Sequence, residues 1–234
     1  MTGSLVAAIR SRQAAGAFPV IGEVKVRSPK EGDLLTGRDP VAYARTMASA
    51  GVAGISVVTE AEHFGGSLEL LRSVVAAVDL PVLAKDFVTT PSQVDELAEA
   101  GAAAMLLIAA HLDAGTLSGL VAHARTRGIE TLVEAHTADE VRTVAGLAGD
   151  LLGINNRDIT VLEVDDSDVS RTAELAGLYP PGRPVVSESA IASADDVRRA
   201  AAAGADAVLV GTAALRAPET AEFLRGLVEV GWPA

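Results

Sequence analysis

The sequence predicts a closed (βα)8 TIM barrel with a short extra helix ahead of the first strand. Three observations carry this. Eight short apolar runs, rich in β-branched residues, recur at 18–24, 54–58, 81–84, 104–108, 131–133, 151–154, 184–186 and 207–210. Most are continuous rather than alternating, which suits strands buried on both faces of a parallel sheet. Ala-, Leu- and Glu-rich stretches of helical spacing lie between them, among them 40–50, 67–78, 91–100, 137–147 and 193–203. Finally, an Ala-Gly-Ala/Val return leads straight into the next run at Gly51, Gly101 and Gly204. Eight such units within 234 residues fit a barrel. An open doubly wound sheet would usually carry a Gly-rich turn after its first strand, and none follows here.

In chain order, residues 1–16 read as an amphipathic helix with Leu5, Ile9 and Ala14 on one face. Later helices open on a cap followed by proline or acid: Asp39-Pro40, Thr90-Pro91, Thr137 ahead of Glu140, and Ser193 ahead of Asp195 and Asp196. Gly51, Gly101, Gly128 and Gly204 supply stops. No linker or low-complexity tract interrupts the pattern, so one domain over 1–234 is expected. The acidic run 163–168 reads as a solvated loop and helix start, and Trp232 as a packing plug.

Composition narrows the function. The chain has 31 acidic and 19 basic residues, a net charge of −12. That argues against tracking a nucleic-acid backbone, which needs a basic face. Without cysteine there is no disulfide, zinc–thiolate site or thiol nucleophile. No apolar run reaches the roughly 18 residues of a membrane span, and the first residues lack a signal peptide's core. A cytoplasmic protein, monomeric or weakly dimeric, is the expectation. Only three of the basic residues are lysines, Lys25, Lys30 and Lys85, so a lysine inside an apolar segment is informative.

Barrel chemistry sits where strands end. The first run ends in Glu23-Val24-Lys25, the third in Lys85-Asp86-Phe87, and the fifth in Glu134-Ala135-His136. The sixth ends in Asn155-Asn156 and the seventh in Ser187-Glu188-Ser189-Ala190. Residues two apart on a strand share a face, so Glu23 and Lys25 point together. Lys85, Glu134, Asn155 and Glu188 should converge on them. Such a cluster can supply a general acid and a general base. Ser189-Ala190 and Gly211-Thr212, after the last two strands, have the small residues of a phosphate cradle, to which Ser28 could add a hydroxyl. The four histidines show no metal-ligand spacing, and of these His136 should lie nearest the site.

These strand ends resemble the indole-3-glycerol-phosphate synthase family. The resemblance runs from about Pro19 to Leu227. It rests on Glu23-Val24-Lys25 with Ser28-Pro29, Ser56 to Glu60, Phe64-Gly65-Gly66-Ser67, Lys85-Asp86-Phe87 and Leu132 to His136. Gly153 to Asp158, Ser187-Glu188-Ser189 and Leu209-Val210-Gly211 complete it. It implies a phosphorylated small-molecule substrate, 1-(2-carboxyphenylamino)-1-deoxyribulose 5-phosphate, ring closure with loss of CO2 and water, and no metal or cofactor. Lys85 would be the general acid, Lys25 the carboxylate-holding lysine, and Glu134 the acid/base of dehydration. Glu23, Asn155 and Glu188 would orient these groups. Ser28, Ser189, Ala190, Gly211 and Thr212 would hold the phosphate, and Phe64, Phe87 and Leu106 the aromatic ring.

Three departures stand out. The family's N-terminal arm is usually longer than residues 1–17, its Gly at the phosphate turn is Ala190, and its Arg before the catalytic Lys is Ala84. They suggest a shortened paralogue serving a specialised pathway. Two other readings remain: a phosphate-binding barrel with altered chemistry, such as a sugar-phosphate isomerase or lyase, and a non-catalytic relative.

Overall fold

The computed structural model describes residues 3–157 and 168–233. Eight parallel strands close into a barrel in the order β1-β10-β9-β8-β7-β6-β5-β4. They are β1 (Val20–Val24), β4 (Gly54–Val58), β5 (Val82–Lys85), β6 (Ala104–Ile108), β7 (Glu130–Ala135), β8 (Leu151–Asn155), β9 (Val185–Glu188) and β10 (Ala207–Val210). Two short strands, β2 (Arg27–Ser28) and β3 (Gly32–Asp33), form a small antiparallel ribbon in the loop after β1. Around the barrel run α2 (Pro40–Ser49), α3 (Leu68–Val75), α4 (Pro91–Glu99), α5 (Ala114–Arg127), α6 (Ala138–Ala145), α7 (Ser170–Leu175), α8 (Ala194–Ala202), α9 (Thr212–Arg216) and α10 (Thr220–Val228).

The expected caps form. Asp39 accepts from the N–H groups of Val41 and Ala42, Thr90 and Gln93 make a reciprocal capping box, and Thr137 and Ser193 cap α6 and α8. The returns at Gly101 and Gly204 have φ of +90° and +107°, which few residues other than glycine adopt without strain.

Strand side chains alternate between two cores. Val20, Val24, Met105, Leu107, Val133, Leu152, Ile154 and Val208 face the helices. Ile21, Leu83, Leu106, Leu132, Leu151, Val186 and Leu209 fill the barrel. Both faces are buried, which is why the runs read as continuous.

The N-terminal helix α1 (Leu5–Ala14) closes the bottom of the barrel, where Leu5 and Ile9 join the interior layer. Its first turn is tied to Glu130, whose carboxylate accepts from Ser4 Oγ and from the N–H of Leu5 (2.8 Å) and Val6 (3.2 Å). Arg10 and Gln13 reach Asp206 on another side of the rim, at 2.8 and 3.1 Å. One expectation fails: Ala14 is exposed, and the buried positions are Leu5, Ile9 and Gln13. Spacing of four keeps one stripe, so Gln13 is buried for its hydrogen bonds and Ala14 rotates outward.

Phe18 precedes the first strand and packs on Trp232, ring centroids 5.8 Å apart, as the plug reading of Trp232 requires. Strand β7, the fifth of the barrel in chain order, is longer than its apolar run, because inward-facing Glu134 interrupts hydrophobicity without ending the strand. Of the acidic run 163–168 only Asp168 lies within the described residues; its carboxylate accepts from Ser170 N at 2.9 Å.

Candidate active site

Glu23 and Lys25 extend inward from the end of β1, Lys85 ends β5, Glu134 lies in β7, and Asn155 and Glu188 end β8 and β9. Register sets Asn155 opposite Glu188, and Glu134 opposite Gly153. All six therefore meet at the C-terminal mouth, and all are buried. Lys85 Nζ donates to Glu188 Oε2 at 3.0 Å and stands 3.7 Å from Glu23 Oε2. Lys25 Nζ is 3.3 Å from Glu23 Oε1 and 5.8 Å from the Phe64 ring centroid. Asn155 Nδ2 donates to Glu134 Oε2 at 3.2 Å. Two ammonium groups thus share a carboxylate, each with a second carboxylate or an aromatic face beside it.

Two hollows adjoin this cluster, and Glu23, Lys25 and Lys85 line both. One is walled by Val58, Phe64, Phe87, Leu106 and Ile108, with Glu134 and Asn155 at its floor. Its aromatic edge is built, since Phe64 and Phe87 meet at 6.4 Å and His111 stacks edge-on against Phe87 at 5.2 Å. The Glu60 carboxylate shapes the loop bearing Phe64 by accepting from the N–H of Glu62 (3.0 Å), His63 (2.8 Å) and Phe64 (3.0 Å). Glu60, Glu62 and His63 also cluster within 4.8 Å. Those backbone bonds and the His63 ring already occupy both Glu60 oxygens.

The other hollow, of about 300 Å³, is lined by Ser189, Ala190, Gly211 and Thr212, joined by Arg157 and Arg216. Arginines and small residues beside two lysines make an anion site within an acidic protein. Ser189 and Ala190 both adopt left-handed backbone, φ +63° and +59°. Each such residue costs about 1 kcal/mol. Asn156 holds this turn: its Nδ2 donates to the carbonyls of Glu188 (2.9 Å) and Ser189 (3.2 Å), and its Oδ1 accepts from Thr172 N (3.0 Å).

Two glycines make room for the carboxylates. A Cβ on Gly153 would stand 2.5 Å from Glu188 Oε1, and one on Gly211 would stand 2.6 Å from Glu23 Oε1.

Burial pushes the Glu188 carboxyl up, to about 8; the Lys85 ammonium pulls it down, and Glu134 raises it again. Between its ordinary value of 4.5 and about 8, the folded chain holds a proton that the unfolded chain has released. This contribution to stability is full below about 4.5 and is lost as pH rises through about 8. The melting temperature is therefore expected to fall from pH 5 to pH 8.5. Calorimetry of Glu188→Gln should show a shallower fall; equal slopes would remove Glu188 as the cause. His136 acts in the same direction and remains in the variant. Burial would lower its value, but Glu134 and Glu140 raise it on balance.

Most site residues expected from the sequence come together here. Phe64, Phe87 and Leu106 wall the first hollow, and Ser189, Ala190, Gly211 and Thr212 the second. Ser28 is not among the lining residues; its hydroxyl accepts from Glu31 N at 3.1 Å within the β1 loop. Sequence reasoning left Arg157, Asn156 and Arg216 without roles. An arginine directly after Asn155-Asn156 was a signal for the first. Nothing local marked Arg216, whose Nη2 lies 2.8 Å from Glu31 Oε2.

Among solved structures, thiamine phosphate pyrophosphorylase from Pyrococcus furiosus superposes with a TM-score of 0.67 at 14% identity. The match covers 94% of this chain and 96% of that one, and shows the fold alone. The family model described as Indole-3-glycerol phosphate synthase matches residues 2–227. Relatives of that name include those of Thermococcus kodakarensis (46% identical, covering 90% of this chain and 92% of the relative) and Pyrococcus furiosus (44%, 94% and 96%). Another is from a Nocardioides species (47%, 87% and 77%). With the barrel, the six-residue cluster and this match along nearly its whole length, the chain belongs to the indole-3-glycerol phosphate synthase family.

Proposed function

We propose that this chain is an indole-3-glycerol phosphate synthase whose chemistry is carried by Lys85, Lys25 and Glu134. It converts 1-(2-carboxyphenylamino)-1-deoxyribulose 5-phosphate to indole-3-glycerol phosphate, CO2 and water, a carboxy-lyase step of tryptophan biosynthesis. One observation carries the assignment of roles. The two lysines and Glu23 stand on the divide between an aromatic hollow and an arginine-lined one.

A substrate with an aryl carboxylate at one end and a phosphate at the other spans that divide. The ring packs against Phe64, Phe87 and Leu106, and the phosphate lies among Ser189, Gly211, Thr212 and Arg157. The reacting ketone is then beside Lys85, which donates a proton to its oxygen as the aromatic carbon attacks. Lys25 holds the carboxylate. Glu188 and Glu23 fix the Lys85 ammonium, and Asn155 fixes Glu134, which serves the dehydration. Positioned acid–base groups of this kind contribute about 10²–10⁴ in rate. Decarboxylation gains further from the apolar wall, which weakens the carboxylate's solvation.

The test is to mix the protein with the ribulose phosphate and follow indole absorbance and CO2 release together. Both should rise in equal amounts. Binding of the phosphate ester without indole would favour altered chemistry on the same barrel.

A further inference from the structure

His136 has no task in the reaction as described, yet it is buried between two carboxylates. Its side chain is 8% exposed. Its Nε2 faces Glu134 Oε1 at 3.3 Å, and its Nδ1 faces Glu140 Oε2 at 3.4 Å. Neither Glu134 Oε1 nor His136 Nε2 has an aligned hydrogen-bond partner among the described residues, so each retains bonding capacity toward the other. Glu134 is fully buried, whereas the Glu140 side chain is 22% exposed. Glu140 is held in place by Thr137 Oγ1 at 3.0 Å and by the backbone N–H of His136 at 2.8 Å. A carboxylate, an imidazole and a second carboxylate thus lead from the floor of the site to the solvent-facing first turn of α6.

The reaction needs such a lead. The aromatic carbon bonds to the ketone carbon, whose oxygen takes one proton. The bond to the carboxylate breaks, its electron pair restores the ring, and CO2 departs. The new hydroxyl leaves as water with a second proton, and the carbon beside the nitrogen gives one up. Two protons are taken and one is returned. A substrate carboxylate has become neutral CO2, so each turnover draws one proton from solvent. With substrate filling the mouth and α1 closing the bottom, the buried acids need another supply.

We propose that His136 and Glu140 form a relay that delivers this proton to Glu134 during turnover. The proposal rests on the functional reading above, and His136 is a positioning and relay residue that acts through Glu134. Burial disfavours the imidazolium, but the two carboxylates facing it, Glu134 from its own strand and Glu140 from α6, more than offset this. The ring is therefore held ready to carry charge.

The experiment uses the full chain and the ribulose phosphate. For His136→Asn, kcat should fall about tenfold with KM changed less than about twofold. The solvent deuterium isotope effect on kcat should rise above the wild-type value. Imidazole added to His136→Ala should restore part of the rate. A pH-indicating dye in weak buffer should show proton uptake keeping pace with indole formation in the wild type, and limiting it in the variant. Wild-type kcat and isotope effect in His136→Asn would overturn the relay. If that variant does not fold, Glu140→Gln decides: a slower, more isotope-sensitive kcat supports the relay, and an unchanged one overturns it. A wild-type chain that makes no indole overturns the functional reading and the relay together, whereas results confined to the variants bear on the relay alone.

Discussion

Lys85→Ala is expected to lower kcat by about 10³-fold or more while the barrel remains folded. General acid catalysis is worth about 10²–10⁴. In the proposed role the Lys85 ammonium acts from a position 3.0 Å from Glu188 and 3.7 Å from Glu23. The backbone loses nothing, because the Lys85 carbonyl still accepts from Thr59 N at 2.9 Å. Removing a cation from a buried pair normally destabilises strongly. Here the damage is limited, because Glu188 is already biased toward its neutral form and takes up a proton when its partner goes. Lys85→Arg should not rescue turnover: a guanidinium keeps the charge but does not release its proton near neutral pH. Indole formation within tenfold of wild type in the alanine variant, measured on protein of unchanged circular dichroism, would remove Lys85 from the acid's role.

Gly153→Ala should be nearly as damaging, although Gly153 carries no chemistry. Its Cβ would stand 2.5 Å from Glu188 Oε1 and 3.2 Å from the Glu134 Cα. One methyl group therefore presses on the Glu188 carboxylate and on the strand backbone that carries Glu134. Overpacking of this kind costs about 1–3 kcal/mol in stability. Displacing reacting groups by about 1 Å costs on the order of 10²-fold in rate. The control is Gly226→Ala in α10, where an added Cβ meets nothing within 4 Å. There the change should be neutral, or stabilising by about 0.5–1 kcal/mol. Equal activity of the two variants would show that the Glu188 wall yields without consequence.

The barrel was legible because a strand buried on both sides needs apolar residues at every position, and eight such runs are hard to conceal. The site was legible for the related reason that Glu23, Lys25 and Lys85 break that rule where strands end. Period two then sufficed to aim Glu23 and Lys25 together. Other features needed neighbours in space. Gly153 reads as an ordinary small residue until Glu188 is seen filling the volume beside it. Asn156 sits next to Asn155, but faces the opposite way and holds the Ser189-Ala190 turn. The inward Glu134 shortened the apparent fifth strand, and the burial of Gln13 in place of Ala14 depended on Asp206, distant in sequence.

The helix before β1 also governs traffic. Leu5 and Ile9 join the apolar side chains that fill the lower part of the cylinder, so the candidate site faces the end where the strands finish. Under the proposed assignment, carbon dioxide released beside Lys25 leaves through the same mouth as the indole product. On that reading carbon dioxide forms before the heterocycle, so the loss of carbon precedes the vacating of the chamber.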